Sequence, residues 1–386
     1  MTEPNPIHVF RPVFRVEECL AEIRQCLERG WVGLGWKTEE IEKAWKVYTG
    51  LAHARFVSSG TAALHLAVRS LKIARHWDEG DEVITTPLTF VSTNQVLLEE
   101  RLTPVFADVD EHLCLDPAKI DPLVGPRTRA VVFVGLGGQT GRLPAVADLC
   151  RKRGLALILD AAHLAGARLS GRHVGREGDV AAWSFHAVKN LGTGDSGMIS
   201  FADRDLDELA RELSWHGIDR DTWSRTTGAV PGYRWRYSVR ERGMKYNGNS
   251  IQASIALVGL RYLDQDNERR RAIHARYAGA LAVRPPGLDL VPEPPDCVGS
   301  GHMFRVLSER RDDLIAYLNA RSIYPGVHYD LSTAHPIFAS HIRACPRAEL
   351  AASRLVTLPC HLAMSDGDVE RVASEVLLFH QAVSGP

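Results

Sequence analysis

The sequence has almost no charge imbalance: 46 lysines and arginines stand against 47 aspartates and glutamates. No net field draws the chain to nucleic acid or to an anionic membrane, and only a small, locally recognised anion remains open. No run of about 18 or more consecutive apolar residues occurs, so no membrane-crossing helix is expected. The start, MTEPNPIHVFRPVF, lacks the basic patch and apolar stretch of a signal peptide. The seven cysteines, Cys19, Cys26, Cys114, Cys150, Cys297, Cys345 and Cys360, are odd in number and scattered, with no CxxC and no Cys/His group at zinc spacing. They read as reduced thiols; no metal is expected, and the protein is expected to be soluble and cytoplasmic. No GxGxxG follows the first predicted strand, and GLGGQTG at Gly135 to Gly141 lacks an acidic partner at the right distance, which counts against a nicotinamide dehydrogenase. Internal repeats and low-complexity tracts are also missing.

What is present is a chain of 386 residues, long enough for a large domain and a smaller one. Short apolar runs, Asp81–Thr85, Thr103–Phe106, Ala130–Val134, Ala156–Leu159 and Val180–Ser184, alternate with helical patterns at Ala62–Leu71, Phe90–Glu99 and Leu143–Arg153. That alternation predicts an α/β fold with a parallel sheet covered on both faces. A helix is predicted from Ser250 to Tyr262, followed by a charged stretch to Arg276, and it should link the domains. The five prolines of Pro285–Pro295 predict a loop or strand entry. Met303–Leu307, a helix near Asp312–Arg321 and a last helix near Asp366–Ala382 suggest a small α+β domain. The expected boundary puts residues 1–249 in the large domain and 250–386 in the linking helix and small domain.

Several residues could carry chemistry. Lys189 follows the buried-looking strand Val180–Ser184, where desolvation would lower its pKa and leave its amine nucleophilic. Taken alone it reads as a solvated surface lysine. Asp160 ends LALILD at the carboxyl end of a predicted parallel strand, where open α/β sheets place their ligands. It could pair with a protonated pyridine nitrogen or simply cap a following helix. His163 lies three residues on and could approach the same ligand. Ser58, Ser59, Gly60 and Thr61 precede a helical run, a place where free N–H groups and the helix dipole attract phosphate. Ser184 could add a hydroxyl, and Phe90 a ring to stack on a planar cofactor, although a lone aromatic is more often core.

These motifs occur together. SSGTAALHLAV, DEVITTPLTFVSTNQ, PVFADVD, ILDAAHLAGA, SFHAVKNLGTGDSGMIS, GMKYNGNSIQASIAL, GVHYD and LPCHLAMSDGDVERV follow the order and intervals of one family, so the chain resembles the DegT/DnrJ/EryC1/StrS nucleotide-sugar aminotransferases. The resemblance implies the aspartate-aminotransferase fold, called fold type I. It also implies a homodimer with shared active sites and pyridoxal 5'-phosphate held covalently on Lys189. Gly60 and Thr61 match the phosphate-binding turn, Ser184 the phosphate serine, Phe90 the stacking aromatic, and Asp160 the partner of the pyridine nitrogen. His163 matches the Gln or His beside the phenolic oxygen, and Asn247 an asparagine that reaches the neighbouring subunit's phosphate. Lys245, His328 and Tyr329 match substrate-side positions. A dehydratase branch has histidine where Lys189 stands, so transamination is expected. The donor would be glutamate and the acceptor a keto-deoxysugar nucleotide. DAAH, SFHAVKN and KYN favour amination at sugar C4 over C3, and a silent cofactor-binding regulator is the alternative from another class. Arg234, Arg236 and Arg240 could meet the diphosphate or form a solvated loop. The chain departs from the family at Gly248 and Asn249, and at GLGGQTG, where relatives usually carry an aromatic-containing HLYGQ run.

Overall fold

A computed structural model describes residues 5–227 and 236–381. Its centre is a seven-stranded sheet. In chain order the strands are β1 (Arg55–Val57), β2 (Glu82–Thr85), β3 (Thr103–Phe106), β4 (Thr128–Val134), β5 (Ala156–Asp160), β6 (Val180–Ser184) and β7 (Gly197–Phe201). Their spatial order is β1-β7-β6-β5-β4-β2-β3, and only β7 runs antiparallel to its neighbours.

The continuous apolar runs of the central strands split by parity into two packed layers, as a period of two requires. Val131, Phe133, Leu157, Leu159, Ala181 and Trp183 pack in one core with residues of the helices Trp36–Thr49, Leu143–Arg153 and Ser250–Ala280. Ala130, Val132, Ala156, Ile158, Val180 and Ala182 pack in the other with residues of Gly60–Ala74, Ser92–Glu99 and Arg204–Leu213. A sheet buried on both faces exposes only its edges, so the carboxyl ends of the parallel strands are where a polar ligand can be met.

The predicted strands are all present. The helix predicted at Phe90–Glu99 begins two residues later, at Ser92. A larger correction concerns the linking helix: it does not stop near Tyr262 but runs unbroken from Ser250 to Ala280, 31 residues or roughly 46 Å. Its charged half persists because those charges have partners outside the helix. Arg15 pairs with Asp266, and Asp366 receives both Arg269 and Arg276. The same helix buries Ala256 and Leu263 in the first core and Ile273 and Tyr277 in a third, built on the antiparallel strands Leu288–Leu290, Phe304–Ser308 and Leu355–Leu358. Helices Arg311–Asn319 and Asp366–Gln381 cover that small sheet. No helix of the described residues is long and apolar enough to cross a membrane.

Candidate active site

The site forms where β5 and β6 end. Lys189 sits in the turn after β6, half-buried, with Nζ in no hydrogen bond or ion pair among the described residues. Burial pushes its pKa down to about 8, and the opposing pull comes from the Asp160 carboxylate. A substantial neutral fraction is therefore available near pH 8.

Asp160 is the last residue of β5 and only 5% exposed. No helix follows it, so it caps none. Its Oδ2 accepts the Thr93 hydroxyl at 2.6 Å and its Oδ1 accepts the Ala162 N–H at 3.1 Å. Burial raises its pKa despite these bonds and the Lys189 charge, a sign that the carboxylate lacks a full cationic partner.

His163 lies in the turn after β5 rather than on a helix. Its Nδ1 accepts the Gly137 backbone N–H at 3.2 Å, and its Nε2 faces the Tyr329 hydroxyl at 3.3 Å. Burial drives its pKa well down, and the positive charges of Lys189 and Arg305 add to that, so the ring is neutral. Because a peptide N–H can only donate, the proton of the neutral ring is assigned to Nε2, which donates. His328 joins the same wall, bonded through Nδ1 to Thr357 at 3.0 Å, with its pKa lowered to about 4 by burial. The Phe90 ring lies 5.6 Å from that of Tyr329 and is 53% exposed, so it presents an open aromatic surface.

The start of the helix Gly60–Ala74 is equally specific. Ser59 caps the helix Gly60–Ala74 by accepting the Ala62 N–H, which leaves the first N–H groups, those of Gly60 and Thr61, without partners in the ladder. A Cβ at position 60 would lie 2.7 Å from the Ser184 Cβ, so only glycine lets the helix start come this close to the end of β6. Gly60→Ala should cost about 1–3 kcal/mol through forced displacement. Thermal unfolding with and without cofactor checks this, and the loss should be larger with cofactor present.

Two predicted residues lie apart. Lys245 is exposed, with its Nζ 3.0 Å from the centroid of the Trp215 ring. Asn247 bridges to Val57 and lines a different cavity with Arg55 and Trp215; its Oδ1 is buried without a partner. Arg236 and Arg240 are exposed, and Arg234 lies outside the described residues.

The structure adds residues that sequence reasoning missed. Thr93 holds Asp160 across 67 residues of sequence, a contact that no local pattern marks. The His302 ring lies 4.6 Å from that of His163, and its Nδ1 is 2.7 Å from the Asn190 Oδ1. At the GLGGQTG departure, Gly137 has φ +75° and a built Cβ would meet the Arg305 Nε at 2.6 Å. Arg305 thus fills the space that a side chain at 137 would need.

Residues 15–377 match the DegT/DnrJ/EryC1/StrS aminotransferase family. The chain is 35% identical to the spore coat polysaccharide biosynthesis protein SpsC of Bacillus subtilis, over 95% of each chain. Among solved structures it resembles the aminotransferase TlmJ of Streptoalloteichus hindustanus, at 34% identity and a TM-score of 0.89, covering 98% of this chain and 100% of that one. DesV of S. venezuelae, solved in complex with a ketimine intermediate, aligns at 31% identity and a TM-score of 0.88, covering 98% and 99%. The chain belongs to the DegT/DnrJ/EryC1/StrS aminotransferase family. It is an aminotransferase of the fold type I architecture, and the cofactor of that class is pyridoxal phosphate. The residues present fit this group: partnerless N–H donors over a glycine cradle, a buried carboxylate short of a cation, and a lysine with a depressed pKa.

Proposed function

We propose that the chain moves an amino group from glutamate to a keto-deoxysugar nucleotide, aminating sugar C4. The observation that carries the catalytic part is Lys189, free of partners and depressed in pKa beside the buried Asp160. The sugar part is supported by 35% identity to a polysaccharide biosynthesis protein, and the C4 position by the DAAH, SFHAVKN and KYN segments.

In this reading Gly60, Thr61 and Ser184 bind the phosphate, and Phe90 covers one ring face. When bound, the cofactor withdraws electrons from the substrate's Cα and so acidifies its proton. With its amine freed, Lys189 would act as the base that takes the Cα proton onto Nζ and then as the acid that gives it up again. Asp160 holds a proton at the ring nitrogen throughout. His163 offers its Nε2–H, now given to Tyr329, to the phenolic oxygen. Lys245, His328 and Tyr329 form the sugar side. Asn247 serves the phosphate of a second subunit in a cytoplasmic homodimer by donating Nδ2–H, which it now gives to the Gly248 carbonyl, and its place in a cavity that Lys189 does not line favours that role. The proposed division of the chain is 1–249 for the cofactor domain and 250–386 for the linking helix and small domain.

Incubation with glutamate and a panel of UDP-, dTDP- and GDP-linked keto-deoxysugars, with the product read by NMR, tests the assignment. Nitrogen on C4 is expected. Nitrogen on C3 would overturn the position, and no amination of any keto-sugar would overturn the substrate class.

A further inference from the structure

A pocket lies behind the Lys189 turn, its outer wall formed by the exposed residues Arg11 to Phe14. It is a cavity of about 40 Å³, walled by the segment Phe10–Arg15, the turn at Lys189 and Asn190, Arg270 of the long helix, and Cys360 to Leu362. Gly60, Thr61, Phe90, Asp160, His163 and Ser184 do not line it, but Lys189 does, so it backs onto the candidate active site.

Its charges do not balance. Arg270 is 7% exposed, its Nη1 is buried with no hydrogen-bond partner, and no ion pair engages its guanidinium among the described residues. His361, 6% exposed, has neither Nδ1 nor Nε2 in a hydrogen bond, although the His8 peptide approaches the ring. The wall's carboxylate, Asp266, is occupied on both oxygens by Arg15 at 2.6 Å. Arg11 adds a further positive charge. A carboxylic acid or a lysine in such a place could shed its charge, but a guanidinium in a protein cannot. A buried cation without a counter-charge is strongly unfavourable, and a pocket of this kind draws its missing charge from solution.

We infer that this cavity is a binding site for a small monovalent anion, such as chloride or formate, held by Arg270 with His361. The size agrees. One water needs on the order of 10–15 Å³ of such volume, so about 40 Å³ admits a halide with a water, whereas an amino acid or a nucleotide sugar is too large. The bound anion would fasten the segment carrying Phe10 to the long helix and to the turn of Lys189. Phe10 stacks on His302 at 5.3 Å, and His302 lies against His163, so the fastening reaches the wall of the active site.

The test is thermal unfolding of the cofactor-loaded protein at constant ionic strength as chloride replaces gluconate, which is too large to enter. A saturable rise in Tm is expected, since a ligand bound only to the folded state stabilises it. Formate should reproduce the rise, and Arg270→Gln should remove about nine tenths of it. Equal Tm in both salts would overturn the inference and leave water as the occupant, as would an unchanged chloride response in Arg270→Gln. Should that variant fail to fold, crystals of the unaltered protein in bromide decide: an anomalous peak between Arg270 and His361 is expected, and its absence refutes the site.

Discussion

Replacing Lys189 with alanine or arginine should abolish amino transfer, with a loss of about 10²–10⁴-fold from proton transfer alone and more from losing the covalent hold on the cofactor. Arginine keeps the positive charge near Asp160, yet it cannot give up its proton. Both variants should therefore fail alike, which separates a chemical role from a merely electrostatic one. Measurement of the half-reaction with glutamate, by the change in cofactor absorbance, is the direct readout. The pH dependence follows from burial. Because the Lys189 pKa is lowered to about 8, the neutral amine grows in as pH rises through that value, and the rate at which cofactor-free protein captures pyridoxal phosphate should rise with it. In a protein whose lysine kept its ordinary value, the rise would come more than two units higher.

The second large effect is at Asp160. In Asp160→Asn the ring nitrogen loses an ionised partner; a hydrogen bond to a charged group is worth about 1.5–3 kcal/mol, or roughly 10–150-fold in rate. Loss of α-proton exchange with solvent measures this. The same substitution should not weaken the cofactor-free protein. Burial raises the Asp160 pKa. A carboxyl raised in the folded state contributes stability only at low pH and loses it as pH climbs through the folded value. At pH 7 the bare carboxylate is thus a cost, and Asn can still accept the Ala162 N–H and meet the Thr93 hydroxyl. The expected result is a cofactor-free Tm equal to or above that of the unaltered protein, together with a crippled half-reaction.

The central sheet was legible because it is a local fact: β4, β5 and β6 declare themselves as short apolar runs. Lys189 and Asp160 were not legible singly, since alone one reads as a solvated lysine and the other as a helix cap, and only the ordered set of motifs around them singled them out. Thr93, His302 and Arg305 were not legible in the same way, since their roles depend on contacts between distant parts of the chain, Thr93 with Asp160 and Arg305 with Gly137. The end of the long helix was misplaced for a related reason. A run of charges reads as a solvated terminus until Asp366 and Arg15 are seen to meet it. Gly137 shows the reverse. The missing aromatic was visible as a departure in the sequence, but only the structure shows that Arg305 takes its place.

Reduction of the loaded protein with borohydride, followed by proteolysis and mass spectrometry, tests the central claim most directly. The reduced cofactor should be found on the peptide containing Lys189 and nowhere else. A label on another lysine, or no label at all in a protein that still transfers the amino group, would contradict the account.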